Sequence, residues 1–173
     1  MIVTSVKPQP SFLEATKEGF RRLFDFKGRT RRSAYWWFVL AFVIIYVIMD
    51  KLLNAFFPPL VAGILSLFVI YCMVAINVRR LQDRGVSKWW AYLNYLLTVV
   101  FTLYSNISLY GDDLQGSGVS PRMIMDMVQD PIVIILMTIS TIISLVIFVN
   151  AILDGKKEPN AYGPSPKYIV QED

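Results

Sequence analysis

The sequence predicts an all-α integral membrane protein, four transmembrane helices preceded by an amphipathic N-terminal interfacial helix. Three observations predict it. Of the 173 residues, 55% are hydrophobic and only 17% charged, against roughly 25% charged in an ordinary soluble domain, and that apolar excess needs lipid. Almost all of it lies in four long runs, about 35–57, 60–78, 89–110 and 132–153. The cations gather in the segments that alternate ends of those runs share, the pattern by which Lys and Arg mark a cytoplasmic side.

Residues 1–10, with Pro8 and Pro10, read as a flexible tail. Ser11-Phe12-Leu13-Glu14 has the form of a capping box, Ser11 accepting from a backbone N–H and Glu14 reaching back. In the helix that follows, Phe12, Thr16, Phe20, Leu23 and Phe24 fall near one face, with Lys17, Glu18, Arg21 and Arg22 on the remainder. Two uses of that stripe stay open: it lies on the inner leaflet, or it packs on the protein's own cytoplasmic segments.

A single membrane domain is expected over residues 11–157. At Phe26 to Phe38 a knot of cations runs into Tyr35, Trp36 and Trp37 and then into apolar residues. From Ala34 to Met49 the chain is almost wholly apolar, Asp50-Lys51 intrudes, and Leu52 to Phe57 resumes. Sixteen residues make about 24 Å of helix, under the ~30 Å hydrocarbon core, so the outer end of this span is open. No short apolar core with a small-residue cleavage site stands at the amino terminus, so this run is expected to stay in the mature protein. Pro58-Pro59 make a sharp outer turn, and Leu60 to Val78 is a second span of nineteen residues without a charge. Arg79 to Lys88 reads as a polar loop, and Trp89-Trp90 open the third span. In the long outer loop, Ser120-Pro121 resembles an N-cap followed by proline at the first helical position, with Met123, Ile124, Met127 and Val128 forming a short amphipathic helix. Ile132 to Leu153 is the fourth span, and residues 158–173 are expected as a turn-rich cytoplasmic tail.

Charge fixes the orientation. Met1 to Ala34 holds eight cations, the loop after the second span four and the tail three, while the two outer loops hold Lys51 and Arg122 with Asp50, Asp112, Asp113, Asp126 and Asp130. Both termini are expected inside a bacterial inner membrane. A net charge of +4 could suggest nucleic acid, but orientation already accounts for the cations. Cys72 stands alone in an apolar run, which leaves no disulfide or cysteine cluster for a metal. With no histidine the usual general base, the commonest zinc ligand and the Ser-His and Cys-His pairs are gone, so no enzyme, metal or cofactor is expected.

Three blocks resemble a known family. Phe26 to Phe38 follows the pattern Phe-x-Gly-Arg-x-x-Arg-x-x-Tyr-Trp. Arg79-Arg80-Leu81-Gln82-Asp83-Arg84 leads to Trp89-Trp90, and Asn160-Ala161-Tyr162-Gly163-Pro164 closes the chain. Together they resemble the small bacterial inner-membrane family called domain of unknown function 805, departing at Lys88 and Pro159. The resemblance implies a helical integral membrane protein and brings no activity with it.

All three blocks fall on the inner side, placing Arg29, Arg32, Arg79, Arg80, Asp83, Arg84 and Tyr162 at one face. Arg suits bidentate contacts with phosphate or carboxylate, so the cluster reads either as an anionic-headgroup site or as a structural knot in which Asp83 pairs with an amino-terminal arginine. Tyr35, Trp36, Trp37, Trp89 and Trp90 read as interfacial anchors, Asn77, Asn94 and Asn150 as interhelical hydrogen-bonding groups, and Ser140 and Ser144 as a close-packing pair. The expected function is non-catalytic: a binding or accessory component whose partners are the bilayer, anionic phospholipids, a membrane protein or a second copy of the chain. A small oligomeric transporter or channel, and an immunity-like protein against a membrane-active toxin, stay open as alternatives.

Overall fold

The computed structural model describes residues 2–110 and 120–171, so Asp112 and Asp113 of the outer loop lie outside the described residues. Strand β1 (Ile2–Val6) is followed by helices α1 (Phe12–Arg21), α2 (Arg32–Phe56), α3 (Pro59–Arg84), α4 (Trp89–Tyr110), α5 (Pro121–Gln129) and α6 (Pro131–Ile152), then strand β2 (Tyr168–Gln171).

The helices begin and end where local chemistry dictates. In α1 the capping box is complete: Ser11 N–H donates to Glu14 Oε2 at 2.8 Å and Glu14 N–H to Ser11 Oγ at 3.3 Å. Pro58 and Pro59 turn α2 into α3, Pro59 at the first helical position where its missing N–H costs nothing. Ser120 caps α5 through Met123 N–H, and Asp130 serves as both the end of α5 and the N-cap of α6.

Three helices, α2, α3 and α6, are long and apolar enough to cross a membrane, with mean hydropathies of 2.0, 2.5 and 3.0 in their most apolar stretches. The fourth expected span does not meet that measure. α4 runs 22 residues without a charge, but Asn94, Asn106, its serines and its tyrosines dilute it. On α6 the lipid-facing character is plain, since only 17% of its most apolar stretch is buried; in water such a surface would drive aggregation.

The starts of α2 and α4 and the ends of α3 and α6 meet at one end of the bundle, hereafter the capped end. Tyr35 of α2 donates from its hydroxyl to Asn77 Oδ1 of α3 at 2.9 Å, and Ser144 of α6 to Asn94 Oδ1 of α4 at 3.0 Å. At the far end Tyr104 donates to Asp130 Oδ2 at 2.5 Å. Both apolar clusters concentrate toward the capped end. One joins Val74, Val78 and Leu81 to Ala91, Ile143 and Ile147; the other joins Tyr35, Phe38 and Phe42 to Ile76 and Ala151.

Three sequence expectations change. The polar loop expected from Arg79 is helix as far as Arg84, because Val86 N–H closes the helix end on Leu81 C=O at 2.9 Å beyond Gly85 (φ 74°). Asn150 bonds Val146 C=O of its own helix, not a neighbour. The amino-terminal tail expected to be flexible instead pairs antiparallel with the last part of the turn-rich carboxy-terminal tail, Ile2 opposite Gln171 and Val6 opposite Tyr168; the β-branched residues of Ile2–Val6 suit a strand whose partner lies at the other end of the chain.

α1 rests on α2 rather than standing free. Gly19 lies against the Phe38 ring, Phe20 and Phe38 pack at 5.2 Å between centroids, and Phe12 meets Trp37 edge to face at 5.7 Å. A Cβ at Gly19 would overlap the Phe38 ring. Gly19→Ala is therefore expected to lift α1 and destabilise the protein by about 1–3 kcal/mol. Faster trypsin cleavage at Lys17 and Arg21 with a lowered unfolding temperature is the expected readout.

Candidate functional site

Residues three and four apart share a helix face, so Arg80, Asp83 and Arg84 line one side of the last turns of α3 while Arg79 stands about 100° around the helix from Arg80, on the other flank of Asp83. Asp83 is buried at 2% exposure. Its Oδ1 accepts from Arg29 Nε at 2.8 Å and its Oδ2 from Arg80 Nη1 at 2.5 Å. Removing a carboxylate from water costs several kcal/mol, which two charge-assisted bonds from buried guanidiniums offset.

Two cations around one anion leave positive charge over, and backbone carbonyls take it up. Arg29 Nη1 donates to Glu158 C=O at 2.9 Å and Gly163 C=O at 3.2 Å, and its Nη2 to Lys156 C=O. Arg80 donates to Thr30 C=O at 3.2 Å and to Leu153 C=O. The last carbonyls of a helix lack intrahelical partners, and three successive carbonyls at and just beyond the end of α6 are met from outside. Arg32 reaches Ile152 C=O at 3.2 Å, Arg80 reaches Leu153, and Arg84 reaches Asp154 C=O at 2.5 Å. These cations also sit at the negative end of the helix dipole.

Arg79 turns the other way and does the same for α1. Its Nη1 donates to Arg22 C=O at 2.6 Å and to Asp25 C=O, and its Nε to Thr30 Oγ1 at 3.2 Å. Gln82 Nε2 donates to Phe26 C=O at 3.0 Å, and Asn160 Nδ2 donates to Gln82 C=O at 2.9 Å. Gly155 passes directly over the Asp83 carboxylate, where any Cβ would collide with it.

Of the six arginine and aspartate residues singled out, the structure thus joins Arg29, Arg80 and Asp83 in direct contact and brings Arg32 and Arg84 to the same end of α6. Arg79 belongs to the α1 side. The Arg29 and Arg80 side chains are each 1% exposed, so an incoming phosphate would find their forks engaged. Arg32 is half exposed and pairs with Asp154 Oδ1 at 3.6 Å. Among the aromatics, Trp37, Trp89 and Trp90 are exposed, Trp36 is half-buried, and Tyr35 lies inside on Asn77. Tyr162 is exposed in the turn closed by its N–H on Asn160 Oδ1 at 2.9 Å.

Sequence reasoning missed Thr30, Arg31 and Gly155. Arg31 is buried and donates to Lys7 and Pro8 C=O, both at 2.8 Å, tying β1 to the cap. A signal existed for Gly155, the glycine immediately after the last apolar run. Beyond the spans, the hydrogen bond from Lys167 Nζ at 2.5 Å lowers the Asp154 carboxyl and raises the Lys167 ammonium from their ordinary values. The Lys27 N–H, followed by Arg22, lowers Asp25.

Long apolar helices gathered under a cap of buried arginines define a helical membrane protein. Residues 23–164, a stretch that contains all three sequence blocks, match the family described as Protein of unknown function (DUF805), and the chain belongs to that family. It is similar to the inner membrane protein YhaH of Escherichia coli strain K12, 32% identical over 88 residues that make up 44% of this chain and 73% of the relative. The protein of that name from E. coli O157:H7 matches with the same figures. No solved structure matches.

Arg29→Ala removes one partner of a buried carboxylate and takes a donor from the carbonyls of Lys156, Glu158 and Gly163, so a loss of about 3–5 kcal/mol is expected. Arg29→Lys should recover little, since an ammonium cannot reproduce the fork. Thermal unfolding in detergent measures both, and a wild-type midpoint in either would contradict this account. A pH dependence follows from Asp154: its pKa is lowered on folding, so the tie to Lys167 is fully present above 3.8, the ordinary aspartate value, and is lost as pH falls through the lower folded value. Across that acid range wild-type stability should fall more steeply than that of Asp154→Asn.

Proposed function

We propose that the chain crosses the inner membrane four times with both ends cytoplasmic, and acts without catalysis as a binding or accessory component. The observation that carries the reading is the division of its cations: fifteen of the 17 lie in segments at or leading into the capped end, and only Lys51 and Arg122 lie elsewhere. That asymmetry is the cytoplasmic mark. Geometry supports the fourth crossing, because α3 ends at the capped end, α6 starts at the far end, and α4 is the element between them that travels the distance. The similarity to inner membrane proteins supports the location.

Within the cap the buried arginines hold the protein together, and the exposed cations meet the partner. Arg32, Lys88, Lys156 and Lys157 stand outward at the capped ends of α2, α4 and α6, beside the exposed Trp37, Trp89 and Trp90. Cations in the headgroup zone contribute roughly 1 kcal/mol each toward anionic lipid. A carboxy-terminal reporter should be active only as a cytoplasmic fusion; activity of an externally competent one would overturn the topology. Replacing Lys88, Lys156 and Lys157 together with alanine should reduce phosphatidylglycerol retained by the purified protein, read by native mass spectrometry, with the unfolding temperature nearly unchanged. Unaltered retention would remove anionic lipid as the partner and leave a membrane protein in its place.

A further inference from the structure

An open groove of about 470 Å³ lies between the helices in the capped half of the bundle, with Tyr35, Trp36, Asn77, Asn94, Ser144 and Phe148 among its lining residues. Its volume falls in the usual range for small-molecule sites. Its chemistry is one-sided. Asn77 Oδ1 accepts from the Tyr35 hydroxyl and Asn94 Oδ1 from the Ser144 hydroxyl, which leaves both amide Nδ2 groups as donors. Among the described residues neither Nδ2 has an acceptor, nor does Trp36 Nε1, and all three side chains are half-buried. In hydrocarbon an unmatched donor is costly. The lining holds these unmatched donors beside the hydroxyls of Tyr35, Thr141 and Ser144, whose own protons are engaged, with apolar walls and no charged side chain.

The opening and depth narrow the ligand. Trp36 of α2 and Phe148 of α6 meet edge to face at 6.0 Å, and Phe148 is half exposed, so the groove reaches the lipid-facing surface between α2 and α6. Asn77 stands seven residues, about 10 Å, before the end of α3, Tyr35 and Trp36 open α2, and Asn94 is in the second turn of α4. That is the level just beneath the headgroups, where glycerolipid ester carbonyls lie. We propose that this groove binds the ester carbonyls of a membrane glycerolipid entering sideways between α2 and α6, Asn77 and Asn94 donating to them. The inference rests on the four-crossing reading to place Asn94 in the bilayer, and not on the anionic-headgroup reading.

The test uses the wild-type full chain in nanodiscs holding equal amounts of diester and diether phosphatidylcholine with matched chains, and counts the lipids retained by native mass spectrometry. The shared neutral headgroup keeps this result independent of the basic rim, and the reporter fusion tests the crossings separately. Two hydrogen bonds predict at least about fivefold preference for the diester lipid, falling to parity in Asn77→Leu/Asn94→Leu. Equal retention by the wild-type protein overturns the site without any variant having to fold. Displacement of the diester lipid by an equimolar amount of decylubiquinone overturns the glycerolipid assignment in favour of a quinone carbonyl.

Discussion

The Asp83 carboxylate, held between Arg29 and Arg80, is the contact on which the rest of the structure depends. One residue receives an arginine from the segment before α2 and another from its own helix, while its main-chain carbonyl accepts from Lys156 N–H at 3.0 Å beyond α6. Three stretches far apart in sequence, the segment before α2, the end of α3 and the segment after α6, thereby meet at one residue. A buried ion pair is weak evidence for net stability, since its desolvation offsets its attraction. Its effect here lies in specificity, because neither guanidinium can leave without stranding the carboxylate and a set of backbone carbonyls.

The cap also explains why its buried cations are arginines. A helix that ends at the membrane surface needs partners for its last carbonyls, and water is scarce where neighbouring helices crowd the same end. A guanidinium offers five donors in a fixed fork and is less strongly hydrated than an ammonium, so one side chain can serve a carboxylate and two carbonyls at once. Arg79 and Arg80, adjacent in sequence, use this in opposite directions, one closing α1 and the other α6. Lys17, Lys27, Lys88, Lys156 and Lys157 remain exposed, as compact and strongly hydrated charges should. The cations are thus divided between holding the fold and facing outward.

Much of the architecture was legible because each signal was local. The capping box, the tandem proline turn, the Ser120-Pro121 start and the approximate extents of the apolar runs are all written within a few residues of where they act. The cap was legible only as composition. That Asp83 and several arginines would share one face could be read from the blocks, but Thr30, Gly155 and Asn160 act through backbone carbonyls and close approach, which leave no periodic trace. The pairing of β1 with β2 was hidden for a related reason: two short strands at opposite ends of the chain have no hairpin signal between them. The run Arg79 to Arg84 was misplaced because five polar or charged residues with one leucine resemble a loop until their partners are known.

The same reasoning explains why α4 falls short of its neighbours in hydropathy. It packs between α3 and α6, and several of its polar groups are matched within the bundle. Asn94 accepts from Ser144, the Tyr95 hydroxyl donates to Leu67 C=O at 3.2 Å, and Tyr104 donates to Asp130, while Thr98, Ser105 and Asn106 bond carbonyls of their own helix. A helix flanked by others can carry amides and hydroxyls that a lipid-facing helix such as α6 cannot, since each finds a partner inside protein. Hydropathy averages over a helix without regard to what its polar groups touch. On the four-crossing reading the low value of α4 marks its position between two neighbours, and the unmatched Nδ2 groups near the capped end, those of Asn94 on α4 and of the facing Asn77 on α3, are where a ligand's acceptors would complete the bonding.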